Sequence, residues 1–254
     1  MKSFTTQLQT QEDVVEIFNQ LAADRVDHRT NWTYMTAKQL TDFALLDQAG
    51  VDGAEVLNIG CFYPIDEILF VHRAKRWTAT DLGQETIRVA EQTARAALSD
   101  ELFERLTFSV ADGTGLPFGD ATFDITLSMS TLDHVPDGAG RQLFVNEMAR
   151  VTRPGGRVVL TVPNRWNRVY AGRAKSGGAV ASPEFFEYCF SPIELRRMVH
   201  GAGLRIVAFT STSQIPVLGP RPFLARLDRR PLVATWNAVA RYFGARMGVL
   251  ALKQ

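Results

Sequence analysis

The sequence predicts an α/β protein with a doubly wound, mostly parallel sheet that helices cover on both faces. Short apolar runs of strand length alternate along the chain with longer segments in which apolar residues recur at helical spacing. Strands and helices that alternate in this way form parallel, right-handed units. Ligands of such sheets bind beyond the carboxyl ends of the strands. We therefore expect the functional residues in the loops that follow the strands.

Six segments are predicted as strands, and a seventh near the end of the chain is a further candidate. Arg153-Pro154-Gly155-Gly156 is predicted as a turn, because proline and paired glycines do not continue a helix. The strands are residues 55–59, 76–80, 105–110, 120–130, 156–164 and 204–209, with 245–253 as the candidate.

Helices are predicted ahead of the first strand and between the others. Residues 11–50 form an N-terminal helical cap that Gly50 ends. The sequence Ser191-Pro192-Ile193-Glu194 is typical of a capping box, and its helix ends at Gly201 or Gly203. The remaining helical segments are residues 66–74, 85–98 and 141–151.

The composition is that of a globular protein, with 46% hydrophobic and 22% charged residues. A net charge of +1 gives no general attraction for nucleic acid. The two cysteines, Cys61 and Cys189, and four scattered histidines predict neither a disulfide framework nor a metal site. The N-terminus lacks an apolar signal region and no stretch is long enough to cross a bilayer, so we expect a cytoplasmic protein.

The loop after the first predicted strand is a candidate for cofactor contact. It reads Asn58-Ile59-Gly60-Cys61-Phe62-Tyr63-Pro64. Gly60 would let a nucleoside cofactor approach the backbone closely, although one glycine in a tight turn is common in any α/β protein. The G-x-G-x-x-G series of nicotinamide enzymes is absent, which disfavours hydride transfer.

Acidic residues follow the next two strands. Asp81 stands 21 residues after Gly60, a spacing that suits a carboxylate accepting both ribose hydroxyls. It could instead be a solvated acid or the cap of the next helix. Asp112, followed by Gly113, could accept from an adenine amino group or form an Asx-turn. The three features together, in this order, are more specific than any one of them.

Four stretches carry a family resemblance: VLNIGC, TATDL, VADGTGLPFGDATFDITLSMSTLDHVPD and NEMARVTRPGGRVVLTVPN. Together, over residues 54–164, they resemble class I S-adenosylmethionine-dependent methyltransferases, of the kind that act on small molecules. The similarity continues more weakly to the end of the chain.

The resemblance implies S-adenosyl-L-methionine as the cofactor, a small-molecule acceptor, and a seven-stranded Rossmann-like sheet whose last strand is antiparallel. Asp81 would hold the ribose, Asp112 and the backbone at Gly113 the adenine, and Gly60 with Cys61 would border the methionine part. The other implied cofactor contacts are Asn58, Phe62, Leu82, Met129 and Ser130.

The chain departs from the family in the loop after the first strand. The family has an acid where Asn58 stands and glycines where Phe62 and Pro64 stand. Pro64, Asp66 and Glu67 make a favourable helix start, because acids in the first turn suit the helix dipole. Two hypotheses follow. One is a methyltransferase with a variant loop, and the other is a relative with altered or lost cofactor use, either a non-methylating enzyme or a binding subunit.

His134 and its neighbour Asp133 are candidate catalytic groups after the fourth strand. A histidine that faces the pocket could deprotonate an acceptor hydroxyl near neutral pH. It could instead cap a helix or bind a loop. His28 is a further candidate and Tyr34 a candidate acceptor contact, since both lie in the predicted cap, although a plain surface helix would explain them as well.

Residues 164–190 are predicted as a substrate lid, rich in arginine and aromatic residues, because binding residues commonly lie in such loops. Arg165, Trp166 and Tyr170 could bind an anionic or aromatic acceptor, or they could anchor a solvated loop.

The segment 219–247 is basic and contains an apolar helical stripe. This pattern could dock on an anionic membrane or a lipid substrate, and it is also typical of packing on the same domain or on a homodimer partner. The arginines are Arg221, Arg226, Arg229, Arg230, Arg241 and Arg246.

The whole chain, 1–254, is expected to form one methyltransferase-like domain. Its expected parts are a helical cap (1–50), a cofactor-binding core (51–163), a substrate lid (164–190) and the C-terminal part of the sheet (191–254).

Overall fold

The computed structural model describes residues 42–167, 179–181, 186–211 and 244–254. The strands are β1 (Glu55–Ile59), β2 (Arg76–Asp81), β3 (Leu106–Val110), β4 (Phe123–Met129), β5 (Thr152–Pro163), β6 (Ala179–Ala181), β7 (Phe186–Tyr188), β8 (Leu204–Ser211) and β9 (Arg246–Lys253). The helices are α1 (42–49), α2 (Ile65–Phe70), α3 (Gln84–Ala97), α4 (Asp100–Phe103), α5 (Gly138–Val151) and α6 (Pro192–Gly201), with a 3-10 turn at Leu132–His134.

Seven of these strands form one sheet in the order β3-β2-β1-β4-β5-β9-β8. Strands β1 to β5 pair in parallel, whereas β9 is antiparallel to both β5 and β8. The predicted doubly wound sheet with an antiparallel last strand is therefore confirmed. The strand order reverses between β1 and β4, so the carboxyl ends of these two strands form the switch point where ligands bind in such sheets.

Apolar side chains pack on both faces of the sheet, because successive residues of a strand point to opposite sides. In β1, Leu57 and Ile59 join one buried cluster, and Val56 joins the other. The first cluster includes Phe144 of α5 and Leu195 of α6, and the second includes residues of α1, α2 and α3. The sheet is thus a two-sided core whose strand ends are fixed by packing.

Most predicted elements agree with the structure to within a few residues. Gly50 ends α1 in a left-handed conformation, with φ at 66°. The predicted capping box is present: Ser191 Oγ accepts from the Glu194 N–H at 3.2 Å, and Glu194 Oε2 accepts from the Ser191 N–H at 3.4 Å. The rest of the predicted N-terminal cap, residues 11–41, lies outside the described residues.

The predicted turn at residues 153–156 is corrected to an interruption within β5. Strand β4 pairs Phe123 with Thr152 and then Ile125 with Arg157, so four residues of β5 lie opposite one residue of β4. Gly155 has φ at 77° in this interruption, which a glycine adopts without steric cost. No helix in the described part of the chain is long and apolar enough to cross a membrane.

Candidate functional site

The switch point brings together the loops that follow β1 and β4. The N–H groups of Gly60 and Cys61 both donate to the Thr80 carbonyl, at 2.7 and 2.9 Å. Thr131, just after β4, donates from Oγ1 to the Gly60 carbonyl at 3.2 Å. Main-chain and side-chain hydrogen bonds therefore fix the first loop against the ends of β2 and β4.

Gly60 is required by a neighbouring side chain as well as by its conformation. Its φ is 82°, and a Cβ at this position would lie 2.1 Å from Thr131 Oγ1. The sequence predicted a glycine that admits a ligand. The structure adds that the space beside its α-carbon is filled by Thr131.

Asp81 ends β2 with a half-buried carboxylate that the backbone holds in place. Oδ2 accepts from the Phe62 N–H and Oδ1 from the Gly83 N–H, each at 3.1 Å. Burial raises the pKa of Asp81, and these N–H groups, the N–H of Leu82 and the His134 ring lower it. The N-cap of α3 is Gly83, so the alternative of Asp81 as the cap is wrong. A carboxylate oxygen has more than one acceptor site, which leaves capacity for further hydroxyl groups.

Phe62 has a left-handed backbone, with φ at 38°, and a half-buried side chain. This conformation is unfavourable for a residue with a Cβ, by roughly 1–2 kcal/mol, and costs a glycine nothing. The glycine that the family has at this position suits a left-handed backbone. This chain keeps the left-handed backbone although phenylalanine replaces the glycine.

Asn58 is buried beneath this loop, 2% exposed, and donates from Nδ2 to Glu67 Oε1 at 2.6 Å. Glu67 was predicted as an acid that favours the dipole of the next helix. Glu67 does lie in the first turn of α2, but its side chain is 0% exposed and reaches back to the sheet. Cys61 is also buried, and burial raises the pKa of its thiol well above the ordinary value.

Asp112 and Gly113 follow β3 in a tight turn. Asp112 Oδ1 accepts from the N–H and the hydroxyl of Thr114, both at 2.8 Å, which is the Asx-turn alternative. A Cβ at Gly113 would lie 2.2 Å from the Phe144 ring. Packing against α5 therefore explains this glycine without a ligand.

Met129 and Ser130 end β4 beside β5. Met129 is buried, and its sulfur accepts from the Thr161 hydroxyl at 3.7 Å. Ser130 has φ at 68°, and its buried Oγ has no hydrogen-bond partner among the described residues. A hydroxyl at the switch point is thus left available in the described part of the chain.

His134 and Asp133 lie in the 3-10 turn after β4. His134 Nδ1 is 2.7 Å from the Phe186 carbonyl, which can only accept, so Nδ1 carries a proton. Nε2 is then the basic nitrogen of the neutral ring, and it lies 3.8 Å from Asp133 Oδ2. Asp133 is 1% exposed and forms an ion pair with Arg246 Nη2 at 3.9 Å. His134 thus makes a main-chain hydrogen bond, as the loop-binding alternative predicts, and this hydrogen bond also orients the imidazole ring.

The part of the chain that contains these residues is also similar to known proteins. Residues 57–160 match a family model described as a methyltransferase domain. Residues 57–160 therefore resemble a methyltransferase domain.

Proteins of similar sequence and proteins of similar structure both agree with this similarity. A probable chloroplastic tocopherol O-methyltransferase from Oryza sativa subsp. japonica is 29% identical over 145 residues, which are 55% of this chain and 37% of that protein. The chain thus matches well under half the length of that relative.

Two solved structures share the fold over nearly the whole chain. Magnesium protoporphyrin IX methyltransferase from Synechocystis PCC 6803, with bound SAH, has a TM-score of 0.68 at 16% identity and covers 96% of this chain and 100% of its own. The cyclase SpnF has a TM-score of 0.67 at 20% identity and covers 96% of this chain and 97% of its own. At these identities the likeness concerns the fold alone.

The predicted lid, residues 164–190, is only partly a loop. Strands β6 and β7 pair as a small antiparallel sheet within it. Arg165 lies 3.5 Å from Glu194 Oε2, which favours an anchoring role, and Trp166 is 40% exposed. Tyr170, together with His28 and Tyr34 of the predicted cap, lies outside the described residues.

The roles of three described residues do not follow from the sequence patterns. Thr131 directly follows the predicted contact Ser130, and its role depends on its distance to Gly60. Arg246 was counted with the basic C-terminal segment, but it begins β9, is 8% exposed and pairs with Asp133. Its position agrees with the alternative in which this segment packs on the same domain, and not with docking of Arg246 on a membrane. Glu67 is the third.

Proposed function

We propose that this chain transfers a methyl group from S-adenosylmethionine to a small-molecule acceptor. The observation that carries the proposal is the carboxylate of Asp81. It is held by two main-chain N–H groups at the end of β2, next to the switch point of a methyltransferase domain. A preorganised acceptor at this position suits the two hydroxyls of a ribose.

The residues around the switch point fit this cofactor. Asp81 keeps acceptor capacity, and the Ser130 hydroxyl, for which the described residues offer no partner, lies just after β4. In our proposal, Asp81 and Leu82 bind the ribose, and Asp112 and Gly113 bind the adenine. The remaining contacts are Asn58, Gly60, Cys61, Phe62, Met129 and Ser130.

The cofactor, when bound, supplies an electrophilic methyl group. The protein holds the acceptor in line with that group and, where the acceptor is protonated, removes its proton. We assign proton removal to His134 Nε2, because the bond from Nδ1 to the Phe186 carbonyl leaves Nε2 as the base. Asp133 lies beside that nitrogen and would stabilise the imidazolium.

The acceptor side is assigned to the part of the chain around the lid. Trp166 is exposed and Arg165 is about one-third exposed, so both are placed to contact an aromatic or anionic acceptor. Tyr34, Tyr170 and His28 remain proposals from the sequence. Contact of the basic segment with lipid, a homodimer and a cytoplasmic location are likewise predictions that rest on the sequence.

The test of the cofactor site is calorimetric titration with S-adenosylhomocysteine. Asp81→Ala is expected to weaken binding about 100-fold, the effect of losing two hydrogen bonds to a charged group. Asp100→Ala is the control, since the Asp100 side chain is 94% exposed at the start of α4. Equal affinity of Asp81→Ala and the wild type would reject the site.

The test of the base is turnover on a panel of phenols and other small nucleophiles. His134→Ala is expected to lower kcat about 100-fold or more for hydroxyl acceptors while cofactor affinity is kept. His200→Ala is the control, because its Nδ1 also lies near a main-chain carbonyl, that of Leu204 at 3.2 Å. A loss confined to KM would indicate acceptor binding instead.

A second candidate function is a methyltransferase fold that does not methylate. The observation that favours it is Phe62, whose side chain occupies the loop in a conformation suited to glycine. SpnF, which shares the fold, is described as a [4+2]-cyclase. Binding of S-adenosylhomocysteine without turnover of S-adenosylmethionine on any acceptor would support this candidate, and turnover would dismiss it.

A further inference from the structure

A buried polar cluster lies beneath the loop of residues 60–64. It consists of Asn58 on β1, Glu67 on α2 and Trp77 on β2, which are 2%, 0% and 0% exposed. Val56 pairs with Trp77 and Asn58 with Ala79 in the parallel ladder, so Asn58 and Trp77 share one face of the sheet. Helix α2 covers that face and brings the Glu67 carboxyl group to Asn58.

The start of α2 explains why Glu67 points inward. Glu67 is the third residue of the helix, and an acid there commonly bonds back to the N–H of the N-cap residue. The N-cap of α2 is Pro64, which has no N–H, and α2 has no side-chain cap. The Glu67 carboxyl group is therefore left to bond elsewhere, and it meets the Asn58 amide.

The atoms left over in this contact are complementary. Asn58 Nδ2 donates to Glu67 Oε1 at 2.6 Å, while Asn58 Oδ1, Glu67 Oε2 and the Trp77 Nε1 donor have no partner among the described residues. An ionised carboxylate can only accept, but a protonated carboxyl group also donates. A proton on Oε2 would let Glu67 donate to Asn58 Oδ1 and satisfy both atoms. A buried amide and a buried carboxylic acid then form a reciprocal, uncharged pair.

We propose that Glu67 keeps its proton in the folded protein, pairs reciprocally with Asn58, and acts as a positioning residue for the cofactor loop. The pair joins the end of β1 to the first turn of α2, and residues 60–64 connect these two points. The loop includes Phe62, whose N–H donates to Asp81, so the position of the loop determines where the ribose-binding carboxylate is held.

The surroundings of Glu67 oppose its ionisation. Together they raise the pKa of Glu67 to about 8: burial and Asp66 on the same helix raise it, whereas the Asn58 amide, the backbone N–H of Glu67 and the Trp77 indole lower it. The Cys61 thiol on the loop interacts with the same carboxyl group. Helix α1 packs on α2 through the rings of Phe43 and Phe70. The ionisable residues of α1 are the acids Asp42 and Asp47, so this helix provides no positive charge that would favour an ionised Glu67.

The experiment compares cofactor affinity across pH in variants that mimic or remove the pair. Titration with S-adenosylhomocysteine between about pH 6.5 and 9.5 is made on the wild type, Glu67→Gln and Glu67→Met. Glutamine retains a donor and an acceptor toward Asn58 and cannot ionise. Methionine keeps similar volume and makes neither bond. Glu85→Gln, in the exposed first turn of α3, is the control.

The wild type is expected to lose affinity several-fold at alkaline pH relative to Glu67→Gln, while Glu67→Met is weaker than both near neutral pH. Glu85→Gln should follow the wild type throughout. Parallel pH profiles for the wild type and Glu67→Gln would overturn the proposal. So would a Glu67→Gln variant that binds as weakly as Glu67→Met at neutral pH, because an ionised Glu67 would then be the required form.

Infrared difference spectroscopy of the wild type against Glu67→Gln gives a second measurement that needs no cofactor. A protonated-carboxyl band near neutral pH that disappears at alkaline pH is expected, and its absence would overturn the neutral pair. If the wild type fails to bind S-adenosylhomocysteine at all, the positioning role fails together with the proposed function. The infrared band still decides the state of Glu67 in that case.

Discussion

Thr131 Oγ1 donates to the carbonyl oxygen of Gly60 at 3.2 Å, and the Thr131 side chain occupies the space that a Cβ at residue 60 would need. The contact joins the ends of β1 and β4, the two strands at the switch point of the sheet. Two loops that are 71 residues apart in sequence thus depend on each other for their shape.

Gly60→Ala is expected to disrupt the site through this contact. The new Cβ would lie 2.1 to 2.6 Å from three Thr131 atoms, and the φ of 82° would strain the backbone as well. Chemical denaturation should show a lower free energy of unfolding, and titration should show loss of S-adenosylhomocysteine binding.

Gly53→Ala is the matched control for Gly60→Ala. Gly53 has φ at 70° and nothing within 4 Å of an added Cβ, so it carries the backbone strain alone. The double variant Gly60→Ala with Thr131→Gly should recover part of the loss, because all three clashing atoms are removed. No recovery would mean that strain, and not the clash, dominates.

Phe62→Gly is expected to strengthen cofactor binding. Glycine adopts the φ of 38° freely and removes the ring from the loop. Phe62→Ala separates the two effects, since it removes the ring and keeps the strain. Titration with S-adenosylhomocysteine should rank glycine above alanine and alanine above the wild type. Weaker binding in both variants would indicate that the ring itself contacts the cofactor.

Folding stability is expected to depend on pH through Glu67. The pKa of Glu67 is about 8 in the folded protein, above the ordinary value of 4.5. Between pH 4.5 and pH 8, the folded state therefore holds a proton on Glu67 that the unfolded state has released. The stabilisation is complete below about pH 4.5 and falls by up to about 1.4 kcal/mol per pH unit as the pH rises toward 8.

Urea denaturation from about pH 5 to 9 measures this effect as the difference between the wild type and Glu67→Gln. Glu67→Gln should gain stability relative to the wild type as the pH rises, and the gain should level off above about pH 8. A constant difference across the range would contradict the raised pKa of Glu67.

Asp133 and Arg246 are expected to show strong energetic coupling. Their charged groups lie 3.9 Å apart, and their side chains are 1% and 10% exposed. Asp133→Asn or Arg246→Met alone leaves a buried charge without its partner and should lower the free energy of unfolding by roughly 3 kcal/mol. The double variant should lose less than the sum of the two.

The exposed pair of Arg88 and Glu85 is the control for that cycle. Its side chains are 53% and 36% exposed, so its coupling should be about 0.5 kcal/mol or less. Equal coupling in the two cycles would mean that burial of Asp133 and Arg246 has no energetic consequence.

Features that depend on neighbouring residues can be predicted from the sequence, whereas features that depend on partners in other elements cannot. The strand at 55–59, the capping box at Ser191 and the acid at the end of β2 are local patterns, and the structure contains them where predicted. The roles of Glu67, Thr131 and Arg246 were missed because their partners are 9, 71 and 113 residues away, respectively. Contacts between side chains of separate elements leave no periodic signal in the chain.

The sequence by itself determined the fold class and the order of the candidate site residues along the chain. Alternating apolar segments specify strands and helices, and a parallel sheet places the residues that follow each strand at one edge. Only the tertiary structure decided how those residues are used. It turned Glu67 from the helix start to Asn58, placed Arg246 beside Asp133, and oriented His134 through the Phe186 carbonyl. The physical reason is that burial and hydrogen-bond partners are set by packing across the sheet, which local sequence patterns do not encode.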